Sequence, residues 1–269
     1  MTEVQKVSFD LLCQFVEICN KLDLKYYLVC GSALGAVKYG GFIPWDDDVD
    51  VAMLRQDYER FLAEAPALLP GHLALQNIHT KKAFPLLMTK LVNTETTLIE
   101  KQFLQLPIHH GIFLDIFPLD GYPQGKGKEQ FFELRKWIYN KMRCFAYLYG
   151  YRLFNLSGIM HRYERLLKKY SCSGSALICN HGNWQGKLEY SPAEEFGMGK
   201  WSSFEGLAVR IPENYHSYFS RKYGAWQEEL PQDEQVSHHD FLKCDPTCSY
   251  KSYLYKSKGK IRVRDEHRD

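Results

Sequence analysis

The chain has 269 residues, 45% of them hydrophobic and 25% charged, a balance that excludes a disordered protein and allows a sizeable buried core. A formal net charge of +2 gives no electrostatic case for binding long nucleic acids. No apolar run is long enough to span a bilayer, and the opening Met-Thr-Glu-Val-Gln-Lys leads into no apolar leader. The expected location is therefore the cytoplasm, with at most a peripheral position at the inner face of the cell membrane. The 8 cysteines form no tidy framework, and free thiols are expected.

Taken in chain order, residues 3–22 predict an amphipathic helix, with Val4, Val7, Leu11, Leu12, Phe15, Ile18, Cys19 and Leu22 at helical spacing. Lys25 to Cys30 is a β-rich run stopped by Gly31-Ser32. A helical turn over 33–39 would take Ser32 as its N-cap and end at Gly40-Gly41. The run Asp46-Asp-Asp-Val-Asp-Val-Ala-Met alternates as a strand in its second half, and 56–69 reads as the next helix. Strands are expected over 84–92, 96–100 and from Gly111 to Phe117, followed by a break at Gly125-Lys-Gly-Lys. Helices are expected over 128–149, 156–170 and 214–223, the stretch 171–210 is mixed, and the chain from Leu230 onward looks polar, irregular and finally basic. Alternating helices and strands point to an α/β or α+β sheet protein. The chemistry-bearing signals crowd into 31–120. This suggests a core bearing the chemistry over 1–125 and a mainly helical elaboration with a basic tail over 126–269.

Asp48 and Asp50 are one residue apart, so on a strand they share a face, while Val49 and Val51 turn the other way into apolar packing. Two carboxylates roughly 6–7 Å apart on one face repel each other unless a cation joins them. The hard oxygen ligands suit Mg²⁺ or Mn²⁺. An isolated Asp-x-Asp can equally be a solvated acidic turn, but here a Gly-Ser at a helix N-terminus lies just upstream, where free N–H groups can seat a phosphate. Asp115, inside the apolar run Ile112-Phe-Leu-Asp-Ile-Phe, is costly to bury without a cation and is the third candidate; a strand-end position or a pairing with Lys90 is the bland alternative. Asp120 in Pro118-Leu-Asp-Gly reads as a turn residue.

Gly31-Ser-Ala-Leu-Gly-Ala-Val-Lys followed by Gly41-Phe-Ile-Pro-Trp-Asp-Asp-Asp-Val-Asp-Val-Ala-Met closely resembles the signature of the LicD phosphotransferase family. His110-Gly-Ile-Phe-Leu-Asp-Ile-Phe-Pro-Leu-Asp resembles the family's second block, and Lys90-Leu-Val-Asn its lysine segment. Tyr223-Gly-Ala-Trp with His238-His239 resembles its C-terminal block, although Ala225 stands where the family often has an acidic residue. The resemblance implies an α+β, nucleotidyltransferase-like fold, a mixed sheet core with helices and a helical C-terminal elaboration. It also implies transfer of phosphocholine, or a similar group, from a CDP-activated donor such as CDP-choline to a sugar hydroxyl of teichoic acid or lipopolysaccharide. Animal relatives, the fukutin-like proteins, use a CDP-ribitol donor.

On this reading Asp48 and Asp50 hold Mg²⁺ against the donor diphosphate, and Gly31, Ser32 and Lys90 contact its phosphates. Asp115 binds a second metal or takes the acceptor's proton. A choline headgroup needs aromatic faces, for which Trp45, Phe42 and Tyr39 are candidates, with Trp201 and Trp226 further off. His238 and His239 are candidates for positioning the acceptor or a phosphate. The basic tail from Lys251 to Arg264 is a candidate for peripheral contact with an anionic membrane. The main rivals are a nucleotide-sugar-dependent glycosyltransferase using the Asp-x-Asp, and ribitol-phosphate-type transfer from a CDP donor. Zinc binding at Cys172, Cys179 and His181 lacks the expected spacing, and Ser191-Pro-Ala-Glu reads as a capping box that starts a helix.

Overall fold

A computed structural model describes residues 1–181, 186–229, 231–236 and 240–265, with the backbone alone at positions 187 and 234. Helix α1 (Glu3–Lys21) opens with a reciprocal capping box, in which the Thr2 side chain accepts from the Gln5 N–H and the Gln5 side chain accepts from the Thr2 N–H. Its apolar face, including Leu11, Leu12, Phe15 and Cys19, is buried in the main core. Strand β1 (Tyr27–Leu28) leads into α2 (Cys30–Lys38), then β2 (Asp50–Leu54), α3 (Arg55–Glu64) and β3 (Leu73–Gln76). Next come β4 (Thr89–Asn93), β5 (Thr97–Glu100) and β6 (Phe113–Gly121). Helices α4 (Lys126–Tyr149) and α5 (Leu156–Leu167) follow. The remainder is β7 (Leu177–Cys179), β8 (Tyr190–Pro192), β9 (Lys200–Phe204), β10 (Leu207–Ile211), α6 (Tyr215–Tyr223), β11 (Phe241–Asp245), α7 (Tyr250–Tyr253), β12 (Leu254–Ser257) and β13 (Lys260–Val263).

The fold is α+β, built on a mixed sheet of order β1-β2-β6-β4-β3, with β7 and then β8 added at the far end of β6. Strand β6 is central and buried along its whole length. It runs parallel to β2 and antiparallel to β4. Its ladder with β4 ends at Ile116, so Pro118, which has no N–H to donate, falls beyond that pairing. At the other end the chain enters β6 through Gly111, where a Cβ would lie 1.8 Å from the Asn93 carbonyl oxygen, so only glycine fits. Helix α1 packs on the sheet in the main core. A second apolar cluster joins α4 and α5 to the segments 78–87 and 103–108 through Phe84, Phe103, Phe132, Ala146, Met160 and Tyr163, among others.

Several local expectations are corrected. Helix α2 begins at Cys30 with Val29 as its N-cap, so Ser32 lies inside the first turn and caps nothing; Cys30, at φ 51°, turns the chain into the helix early. Residues 84–88 are not strand: β4 starts at Thr89, and Phe84 and Leu87 instead fill the second cluster. Ser191 lies in β8, and the short turn after it is capped by Pro192. The Ser191 hydroxyl accepts from Arg221 at 2.6 Å. The described residues after Leu230 include regular elements: β11 pairs antiparallel with β5, and β12 and β13 form a hairpin. Asp120 is no turn residue. It is the penultimate residue of β6, is buried, and takes both prongs of Arg55 at 2.7 and 2.6 Å.

Candidate active site

The register of three neighbouring strands builds the site. Asp50 of β2 stands beside Asp115 of β6, and Asp115 stands beside Lys90 of β4. Residues in register on adjacent strands share a face, so the three side chains form one row across the sheet. The backbone of Asp50 is fixed from both sides. Its N–H donates to the Ser32 hydroxyl at 2.8 Å and its carbonyl accepts from Val29 at 3.0 Å. The Asp115 N–H donates to the Val49 carbonyl at 3.0 Å, which ties the segment before β2 to β6. Asp48 lies in this extended approach, two residues ahead of Asp50.

All three aspartates line one cleft of about 850 Å³, together with Lys90, Glu100 and, from α4, Glu133, Lys136, Asn140 and Arg143. Asp48 and Glu100 also border a neighbouring cavity of about 480 Å³, closed on one side by Asp240 and Phe241 of the C-terminal segment. The carboxylates crowd on the sheet side of the main cleft, with Lys136 and Arg143 across from them on α4. Burial first, then the charges of Asp48, Asp115 and Asp46, push the Asp50 carboxyl well above its ordinary range. Burial, Asp48 and Glu100 push Asp115 up to about 7, against the downward pull of Lys90.

Lys90 is buried, with its ammonium 3.4 Å from an Asp115 oxygen, 3.4 Å from a Glu100 oxygen and 3.0 Å from the centre of the Phe113 ring. The pairing of Asp115 with Lys90 is thus present. It is too long for a good hydrogen bond, and Asp115 Oδ1 has no hydrogen-bond partner among the described residues. A buried carboxylate oxygen without a hydrogen bond suits a hard divalent cation, but the carboxylate oxygens of Asp48, Asp50 and Asp115 do not all lie within 4.8 Å of one another, so these side chains would have to draw together around an ion.

The other candidates are placed as follows. Gly31 is in the first turn of α2, and a Cβ there would lie 2.5 Å from the Asp46 carboxylate, which sits close over that helix end. Trp45 is half-buried at the head of the acidic run and meets Tyr39 edge-on at 6.4 Å. Phe42 is no free aromatic face, because it is buried against Phe204 at 4.8 Å. Trp226 is likewise buried, at 5.1 Å from Phe219, while Trp201 is exposed on β9 with Arg210 over its ring. His238 and His239 lie outside the described residues. The cysteines are free. Among the described residues the one group of three side chains spaced to hold a metal is His79, His161 and Glu164, and there Glu164 is already contacted by Arg55 and Lys168.

Sequence reasoning missed Glu100, Lys136 and Arg143 as cleft residues. Lys136, Asn140 and Arg143 recur at spacings of four and three, which is one face of a helix, so their grouping was legible; what that face meets was not. Glu100 gave no signal beyond ending a short strand.

Comparison with known proteins agrees with this geometry. Residues 23–145, which hold all three aspartates and Lys90, match the nucleotidyltransferase domain of LicD/FKTN/FKRP. The chain is 28% identical over 266 residues to the lipopolysaccharide cholinephosphotransferase LicD of Haemophilus influenzae, covering 89% of this chain and 96% of that protein. A shorter match, 36% over 53 residues, is to an uncharacterized protein of Rickettsia typhi, with 20% of this chain and 17% of that one covered. Residues 23–145 are thus similar to the LicD/FKTN/FKRP nucleotidyltransferase domain, and most of the chain is similar to a lipopolysaccharide cholinephosphotransferase.

Proposed function

We propose that the protein is a phosphotransferase that moves phosphocholine, or a similar phospho-substituent, from a CDP-activated donor to a sugar hydroxyl of a lipopolysaccharide or teichoic acid, releasing CMP. The observation that carries this reading is the row Asp50–Asp115–Lys90, set by strand register on one wall of a cleft that Asp48 also lines. The similarity to a lipopolysaccharide cholinephosphotransferase along nearly its whole length supports the same class of reaction.

Asp48, Asp50 and Asp115 would hold Mg²⁺ or Mn²⁺, which would supply positive charge to the phosphoryl oxygens as the bond to the leaving CMP breaks. The chain's own residues do the rest. Ser32, by accepting the Asp50 N–H, fixes the start of β2 and hence the direction of its carboxylate. Lys90 holds Asp115 in place and offsets part of the charge of the row. The alternative role for Asp115 is as a proton acceptor free of the ion: a carboxylate whose pKa stands near 7 is suited to take the acceptor hydroxyl's proton near neutral pH. Lys136 and Arg143, on the α4 wall, offer cations to the donor or acceptor phosphates.

The test is a thermal-shift series with Mg²⁺ and CDP-choline, CDP-ribitol, UDP-sugars or NTPs, followed by transfer assays. CDP-choline, or another CDP-linked donor, should stabilise most by mass action. Asp48→Asn and Asp50→Asn should each abolish transfer while the protein stays folded. Stabilisation by UDP-sugars alone would overturn the donor class, and full transfer by either variant would overturn the roles of the carboxylates.

A further inference from the structure

Helix α4 has three distinct faces. One, with Lys136, Asn140 and Arg143, lines the cleft. A second, with Phe132 and Ala146, is buried against α5 and the segments beneath it. The third carries Phe131, Leu134, Ile138, Met142, Phe145 and Tyr149 at successive spacings of three and four, all exposed. Such spacing makes one continuous apolar stripe along the helix. The exposure is large: Phe131 61%, Trp137 59%, Leu148 73% and, in the turn to α5, Leu153 79%. A folded monomer rarely leaves so many large apolar side chains together in water unless something covers them.

Charge identifies the occupant. Residues 126–170 hold eleven Lys/Arg against three Asp/Glu, a formal +8 in a chain of +2, so the remainder carries −6. Five of these cations lie beside the stripe or at its ends. Arg135 lies over the Phe131 ring at 5.7 Å and Lys141 over Trp137 at 5.9 Å, while Lys126, Lys128 and Arg152 are exposed at the two ends. Apolar side chains in a stripe with long cationic side chains at its border are what a helix lying in a bilayer interface requires. No helix among the described residues is long and apolar enough to cross a membrane, so α4 would lie along the surface rather than span it.

We infer that the exposed face of the α4–α5 hairpin docks on an anionic lipid bilayer, with Phe131, Leu134, Ile138, Met142, Phe145 and Tyr149 entering the headgroup boundary and the flanking cations meeting lipid phosphates. Because the opposite side of the same helix walls the cleft, docking brings the cleft to the membrane surface, where a lipid-borne acceptor would lie. The inference does not depend on the identity of the donor. It also assigns membrane contact to α4 rather than to the basic C-terminal tail, which is folded as the β12–β13 hairpin with Tyr250 and Tyr253 buried beneath it.

The test is flotation of the full chain with phosphatidylcholine vesicles, with and without phosphatidylglycerol. The wild type should float with the anionic vesicles, and less so at high salt. Leu134→Asp combined with Phe145→Asp, and separately Lys128→Glu combined with Lys141→Glu, should each lower partitioning by at least about tenfold while melting normally. Lys256→Glu with Lys258→Glu in the tail should leave it unchanged. Failure of the wild type to bind anionic vesicles would overturn the inference. So would loss of binding in the tail variant alone, or a concentration-dependent dimer that dissolves in the stripe variant, which would make a second copy of this chain the occupant.

Discussion

Replacing Asp115 with asparagine should make the protein more stable while removing its activity. Asp115 is buried, and burial with the charges of Asp48 and Glu100 moves its carboxyl from an ordinary 3.8 up to about 7. At about 1.4 kcal/mol for each tenfold change in acidity, holding that carboxylate ionised in the fold costs ~4 kcal/mol. Asparagine has nearly the same shape and no charge. The substitution also takes a partner from Lys90, but Glu100 remains 3.4 Å from its ammonium, so the offset should be about 1–2 kcal/mol. A net gain of roughly 2 kcal/mol corresponds to a rise of about 4–8 °C in Tm for a chain of this size.

The pH dependence follows from the direction of the shift. Below 3.8 the carboxyl is protonated in both folded and unfolded chains, and variant and wild type should not differ on this account. Between 3.8 and about 7 the unfolded chain gives up its proton while the folded chain keeps it, so wild-type stability falls with rising pH and the gap widens. Above about 7 it levels off. Urea denaturation at a series of pH values, without divalent ions, reads the gap directly. Adding Mg²⁺ or Mn²⁺ should then raise the wild type and not the variant. A variant less stable than wild type above pH 7, or a gap that ignores pH, would make Asp115 a structural partner of Lys90 and refute the argument.

Ser32→Ala removes the acceptor for the buried Asp50 N–H and should cost about 1–3 kcal/mol in denaturant melts, with transfer activity falling further than stability alone explains; Ser32→Thr should restore part of both. Asp120→Asn breaks the two-pronged Arg55 pair, whose carboxylate side is 1% exposed, and should destabilise by about 3–5 kcal/mol by urea denaturation without changing affinity for divalent ions. Gly111→Ala drives a methyl into the Asn93 carbonyl at 1.8 Å and should cost at least about 2 kcal/mol, read as a lower urea midpoint with an unchanged slope.

The sequence by itself determined much of the local structure. Helical spacing gave α1 almost to the residue, because a period of 3.6 repeated over five turns leaves little ambiguity. The apolar run around Asp115 marked a buried strand, and β6 is that strand. The motifs around Gly31, Asp48 and Asp115 were enough to suggest the family, because long specific segments carry information that composition does not. Where elements begin was less legible. Ser32 looked like an N-cap, but a positive φ at Cys30 starts α2 earlier and frees the hydroxyl to hold Asp50. The tail looked irregular because β11 gains its order from pairing with β5, about 140 residues earlier, and no local pattern records such a partner. Only the tertiary structure decided that Asp50, Asp115 and Lys90 stand in one row, since register between strands is set by the whole sheet. It alone showed, too, that α4 turns one face to the cleft and another to solvent, because a helix with apolar residues on two sides cannot say from its own sequence which side the core will take.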